Sequence, residues 1–198
     1  MLSGILSPAF LQAAGRAGKG TQMGKIILDT KYSGPIISSI SCTGEIKVTT
    51  TKNGAPLVET YSDLDGETLS IQADANTQII ISGAEITACE ITQNTDYTKI
   101  SVKNTALTQL NCSYCYVLTA LDVSKNTALT QLDCNGCTKL VSISYPATNN
   151  NVSTALATAI TNAYAADGTV YTDSAADYYS IIANAATAKG WTIAQIPE

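Results

Sequence analysis

Histidine is absent from the 198-residue chain, and that absence removes more chemistry than any motif supplies. Without an imidazole there is no Ser-His-Asp or Cys-His arrangement, no histidine base and no histidine-ligated metal. Carboxylates and lysines remain, but the 16 acidic residues are dispersed and form no convincing pair. A non-catalytic protein is therefore expected, with no cofactor. Charge is also scarce. Asp, Glu, Lys and Arg make up 14% of the chain, against about 25% in ordinary soluble domains. Thr, Ser, Asn and Ala fill the difference, a composition common in extracellular and virion β proteins without being diagnostic of them. The 11 basic residues leave a net charge of −5. Nucleic-acid binding draws its affinity from clustered Lys and Arg, so no nucleic-acid partner is expected. No apolar run approaches the roughly 20 residues of a membrane-spanning helix, so no membrane insertion is expected either.

The first residues imitate an export signal without satisfying its physics. Leu2 to Phe10 is mildly apolar and Ala13-Ala14-Gly15 offers small residues of the kind found at cleavage sites. A secretory signal, however, places positive charge before its apolar core. Here Pro8 interrupts the core, and Arg16 and Lys19 follow it. Residues 1–24 are instead expected to form an extended docking arm. The Gly-rich stretch from Gly15 to Gly20 cannot by itself offset an ordering cost of about 1–2 kcal/mol per residue. Neighbouring subunits of a multi-subunit assembly are the natural supplier of contacts that would hold it.

Residues 25–81 are expected to form a small antiparallel β unit that also serves as an N-terminal cap. Lys25 to Leu28, Ile36 to Cys42, Glu45 to Thr51, Leu57 to Tyr61 and Thr68 to Gln72 are short runs rich in β-branched residues. Turn chemistry separates them at Gly34-Pro35, Thr43-Gly44, Asn53-Gly54 and Asp65-Gly66. Asn-Gly is the strongest hairpin signal, because both residues tolerate positive φ. Glu45 to Thr49 alternates polar and apolar, as a half-buried strand should.

Residues 82–146 carry a repeat. Lys103 to Cys112 recurs as Lys125 to Cys134 with one difference, Asn111 against Asp133. Cys115, Leu118 and Leu121 then fall on Cys137, Leu140 and Ile143, keeping the 22-residue step. A weaker, 21-residue step relates Ile86, Cys89 and Ile91 to Leu107, Leu110 and Cys112. Each unit divides again, since Leu107 to Cys112 and Leu118 to Val123 both read L-x-x-L-x-apolar. This resembles the leucine-rich repeat, with Cys115 and Cys137 at its Asn/Cys position and Asn126 and Asn104 there in the alternate half-units. The doubled half-repeat and the run L-T-x-L-D-V-S-K-N-T-A are similar to the nested leucine-rich repeats of Bacteroidetes and their phages. The resemblance implies a short solenoid in which the Leu, Cys and Val positions point inward and stacked coils share one core. A buried Asn would hydrogen-bond backbone groups at the turn; a Cys thiol would do so more weakly while still packing.

Residues 147–198 are expected to form an α/β C-terminal cap. Ser153 is placed to cap a helix burying Leu156, Ile160 and Ala163. Val170 to Thr172 reads as a short strand. Ser174 is expected to open a second helix with Tyr178, Ile181, Ile182 and Ala185 inward, stopped by Gly190 before a strand at Trp191 to Ile193. The tail ending Lys189-Gly190-Trp191-Thr192-Ile193 resembles those that close such Bacteroidetes repeats. The fold class is therefore mostly β with an α/β C-terminal cap: a short leucine-rich-repeat solenoid flanked by a small N-terminal antiparallel β unit.

Cys112-x-x-Cys115 and Cys134-x-x-Cys137 have the spacing of a four-cysteine zinc site. The repeat accounts for the same residues as two columns of packed thiols, with zinc and a disulfide as the alternatives; Cys42 and Cys89 read as core residues. No metal site is assigned. Asp63-x-Asp65-Gly66-Glu67 faintly resembles a calcium loop but lacks a carboxylate at Tyr61 and a bidentate Glu at the needed distance. Gly15-x-x-Gly18-x-Gly20 follows no strand and is no phosphate cradle.

The candidate binding face is the outward side of the repeat strands, Thr108, Gln109, Asn111, Thr130, Gln131 and Asp133, with Tyr114 and Tyr116 in the adjoining turn. The alternative is a polar face that only keeps the sheet soluble. From this reading the chain is expected to be a structural and interaction protein, a bacteriophage virion component such as a capsid decoration, head-fibre or tail-appendage subunit. Its partners would be other virion proteins through the arm and a host-surface protein or glycan through the repeats. The alternative is a secreted or cell-surface bacterial adhesin of the same repeat family.

Overall fold

Turn chemistry and alternation place the first strands. In the computed structural model, which describes residues 24–34, 36–93, 96–103, 106–146, 150–172 and 179–196, Asn53 and Gly54 adopt φ of 52° and 75°. They close the hairpin between β2 (Ile36–Lys52) and β3 (Ala55–Ser62), with Lys52 opposite Ala55. Both φ values are positive, as the favoured two-residue hairpin turn requires. The Asp74 carboxylate accepts from the Asn53 and Gly54 amides at 2.9 and 2.8 Å, so the turn's two outward N–H groups are satisfied.

Two expected turns are absorbed into strands. Thr43-Gly44 does not separate two strands; it is a bulge inside the continuous β2, and Gly44 takes φ 86° there. On β2 the step from Thr43 to Ile46 lies against the shorter step from Glu85 to Gly83 on β5 (Gln78–Glu90), the length mismatch of a bulge. Asp65-Gly66 opens β4 (Asp65–Ser70), while the preceding bend is made at Asp63, whose φ is 49°. The Asp63 carboxylate accepts from the Gly44 amide at 2.7 Å, joining the bend to the bulge.

β5 is the strand on which the pairing changes. Its first half pairs antiparallel with β1 (Gly24–Thr30), Ile26 opposite Ile81. At Ala88 to Glu90 it pairs parallel with β7 (Gln109–Asn111), which pairs with β9 (Gln131–Asp133), so Cys89, Leu110 and Leu132 are aligned. The boundary drawn at 81/82 from sequence falls inside this strand. β1 continues to β6 (Tyr97–Val102), which starts a second parallel series through β8 (Ala120–Asp122) and β10 (Ser142–Tyr145). Alternate half-units therefore go to alternate series, and the 22-residue step appears as register: Gln109 opposite Gln131, Ala120 opposite Ser142.

Past Pro146 the chain forms α1 (Ser153–Asn162), β11 (Thr169–Thr172), α2 (Tyr179–Lys189) and β12 (Thr192–Gln195). β11 and β12 extend the second series in parallel. α1 buries Leu156 and Ile160 as its spacing predicts, but Val152 is its N-cap and Ser153 is its buried first residue. α2 buries Ile182 and packs Ala185 against the core as expected, buries Ala186 as well and leaves Ile181 46% exposed, against expectation; its expected start at Ser174, and Tyr178, lie outside the described residues. Gly190, at φ 82°, ends α2, and the Trp191 amide donates back to the Ala186 carbonyl at 2.8 Å.

The molecule is thus mostly β: one mixed sheet with two helices near the C-terminus. A single hydrophobic cluster runs from Ile26 and Leu28 through Leu110, Leu121 and Ile143 to Ile182 and Trp191. Among the described residues no helix is long and apolar enough to cross a membrane. Residues 1–23, where the docking arm is expected, and Asn104 lie outside the described residues.

Candidate functional site

Three hydrogen bonds recur every 11 residues along the repeat and fix which side chains are used up and which face outward. The first is a Thr hydroxyl donating to a backbone carbonyl one unit earlier: Thr108 to Thr87, Thr119 to Thr98 and Thr130 to Thr108, at 3.0, 2.9 and 3.1 Å. The second is an Asx turn in which the Asn111, Asp122 and Asp133 side chains accept from the Ser113, Ser124 and Asn135 amides at 3.1, 3.0 and 2.9 Å. In the third, Cys115 Sγ, Asn126 Nδ2 and Cys137 Sγ donate to the carbonyls of Ile91, Val102 and Cys112 at 2.8, 2.6 and 3.0 Å. Asn126 is fully buried, so its bond satisfies a carbonyl that no water reaches.

The cysteines belong to this interior arrangement. All six are buried free thiols. Burial, reinforced by the neighbouring Glu90 carboxylate, pushes the Cys89 thiol up to about 12. Burial, then the adjacent Cys137, pushes Cys134 up as well. Burial thus favours the neutral form of Cys89 and Cys134 over the thiolate that acts as a nucleophile. Among the described residues no group of three or more Cys, Asp or Glu has a geometry that could hold a metal ion.

What remains outward forms a groove of about 810 Å³. Its floor crosses β2, β5, β7 and β9, and the start of α1 forms one end. Five of the eight expected face residues line it: Gln109, Asn111, Thr130, Gln131 and Asp133. Thr108 does not; it is half-buried and its hydroxyl is spent on the Thr87 carbonyl. Tyr114 and Tyr116 lie outside the lining, in the turn that follows β7, 42% and 48% exposed, their ring centroids 6.1 Å apart. The groove also uses Ser39, Ser41, Glu90, Asn151 and Thr154, which sequence reasoning missed. Ser39 and Ser41 flank the buried Ile40, and that alternation was the available signal. Nothing local to Asn151 or Thr154 announces that α1 would close the end of this face.

The lining mixes amides and hydroxyls with the apolar Ala88, Cys89, Leu110, Leu132 and Ala155, and carries carboxylates at Glu90 and Asp133 and no Lys or Arg. Both carboxylates are already engaged: Glu90 accepts from Thr92 Oγ1 at 3.4 Å and Asn111 Nδ2 at 3.5 Å, and Asp133 accepts from the Asn135 amide. Such a lining offers hydrogen-bond donors and acceptors and holds no cation that could pair with a phosphate or sulfate. No family model, no curated protein and no solved structure matches this chain.

Proposed function

We propose that the chain is a non-catalytic structural and interaction protein, a leucine-rich-repeat solenoid whose outward strand residues form its recognition surface. The observation that carries this reading is the polar groove to which Gln109, Asn111, Gln131 and Asp133 contribute from equivalent places in successive units. Side chains that repeat inward are consumed by packing; of the outward residues, Asn111, Thr130 and Asp133 each take part in one of the three recurring bonds, and Gln109 and Gln131 take part in none of them. The absence of histidine and the burial of all six thiols add to the case against catalysis.

The setting we propose is the virion of a phage infecting Bacteroidetes, as a capsid decoration, head-fibre or tail-appendage subunit docked through residues 1–24. The low charge, the repeat wording and the Gly-rich arm support it. A secreted or cell-surface bacterial adhesin is the alternative, because the repeat suits both. Peptide mass spectrometry across a density gradient of the source culture separates them. Peptides banding with DNA-containing particles, including the one beginning at Met1, are the expected result. Banding with envelope membranes or free secreted protein, with a trimmed N-terminus, would establish the adhesin instead.

A further inference from the structure

The turn after β7 carries an exposed aromatic pair. Gln93, Tyr114 and Gly136 occupy the same place in successive units, and all three have positive φ, 52°, 58° and 75°. The turn therefore demands the left-handed region, where Gly is at ease and a bulky side chain is strained. Gly136 meets that demand without cost; Tyr114 meets it at a cost and leaves its ring 42% exposed. Core packing does not explain the tyrosine. The next unit also accommodates it: a Cβ on Gly136 would come within 2.7 Å of Tyr114 Cδ1, so the ring lies over a position kept bare. Tyr116, 48% exposed, tilts against it at 53°. Gln93 carries the same φ without a ring, so the strain belongs to the turn; what is particular to this unit is the exposed aromatic pair, a residue type enriched at interfaces.

The pair belongs to the same turn as the groove wall. Asn111 lines the groove and its side chain accepts from the Ser113 amide, which immediately precedes Tyr114; the Tyr114 amide in turn donates to the Asn135 carbonyl at 2.7 Å. An exposed aromatic pair thus follows, in the next turn, a strand whose Gln109 and Asn111 line a cleft of amides, hydroxyls, engaged carboxylates and apolar residues, with no cation in its lining. Uncharged sugars present this combination in mirror image, an apolar face of ring C–H groups and a rim of hydroxyls that both donate and accept. Acidic sugars would place their charge among carboxylates with nothing to pair it. We propose that the groove and the Tyr114–Tyr116 platform bind an uncharged oligosaccharide, Gln109 and Gln131 hydrogen-bonding its hydroxyls and the tyrosines stacking on its ring. The proposal rests on the interaction-protein reading above and deepens it, while particle association is tested independently of it.

The test is binding of the full chain to an immobilised set of uncharged hexose and N-acetylhexosamine oligosaccharides, with sialylated and sulfated oligosaccharides as acidic controls. The expected result is binding within the uncharged set alone. Tyr114→Gly removes the ring while suiting the backbone, so its melting temperature should stay at or above that of the parent and its binding should fall by about tenfold or more. Replacing the exposed Gln109 and Gln131 together by Ala should weaken binding similarly in a folded protein. No binding to the uncharged set at millimolar concentration, binding of the acidic controls alone, or a Tyr114→Gly affinity within about twofold of the parent would each overturn the proposal.

Discussion

Asn126 shows what one residue of the repeat contributes. It sits where the adjacent half-units have Cys115 and Cys137, and all three donate to a backbone carbonyl 24 or 25 residues earlier. Replacing Asn126 by Ala leaves the Val102 carbonyl buried without that donor, which costs about 2–3 kcal/mol in a urea unfolding measurement. Asn126→Cys keeps a weak donor already used at both neighbouring positions and should cost less than half as much. Equal losses for the two variants would contradict the role assigned to the bond. The buried thiols make a second residue-scale prediction. Cys89 is raised from an ordinary 9.0 to about 12, and Cys134 moves in the same direction. The folded state therefore favours the protonated thiol. That contribution is fully present below about pH 9 and is lost as pH rises towards 12. The unfolding midpoint should be level up to about pH 8.5 and decline above it, and the decline should be shallower in a Cys89→Val variant. An identical alkaline slope in parent and variant would show that the thiol is not responsible.

Among elements, β2 and β5 carry the least expected feature, the bulge where Gly83 passes the β2 backbone. A Cβ at Gly83 would lie 2.4 Å from the Glu45 carbonyl oxygen and 2.9 Å from the Ile46 Cα, both backbone atoms that no side-chain rotation can move aside. At Gly54 a Cβ would meet open space, and only the positive φ opposes it. Gly83→Ala should therefore cost about 2–3 kcal/mol and Gly54→Ala about 1 kcal/mol, measured by the same unfolding curve. Similar costs would mean that the close approach is relieved by a shift of β5. The same bulge explains which elements were legible. Asn53-Gly54 was read correctly as a hairpin because a two-residue loop fixes its own register. Thr43-Gly44 and Asp65-Gly66 carry the same dipeptide chemistry, yet a glycine with positive φ serves a bulge or a strand opening as readily as a turn. Only the partner strand decides between them. In the repeat, the 22-residue step was visible because identical units must take identical places, whereas Ile181 was wrongly placed inward on α2 because that helix's many Ala and small residues define the apolar face weakly.

At the scale of the whole molecule, β5 joins the antiparallel strands to the repeat, and β1 links the two parallel series into one sheet. The groove is a product of that topology. Ser39, Glu90, Gln131 and Thr154 are far apart in the chain and meet only when β2, β5, β9 and α1 are assembled. The outward repeat residues could be named from sequence because strand alternation alone places them; the serines and the helix end could not, because no local pattern encodes which distant element borders a face. We propose that residues 1–24 hold the chain in its assembly while the repeat face points outward, and hydroxyl-radical footprinting of the isolated chain and of purified particles decides between this and the converse. Peptides from residues 1–24 should become protected in the particle while Tyr114 and Tyr116 label as strongly as in the isolated chain. Protection of both tyrosines with no change in the N-terminal peptides would contradict it, placing the repeat face, not the arm, at the interface with the assembly.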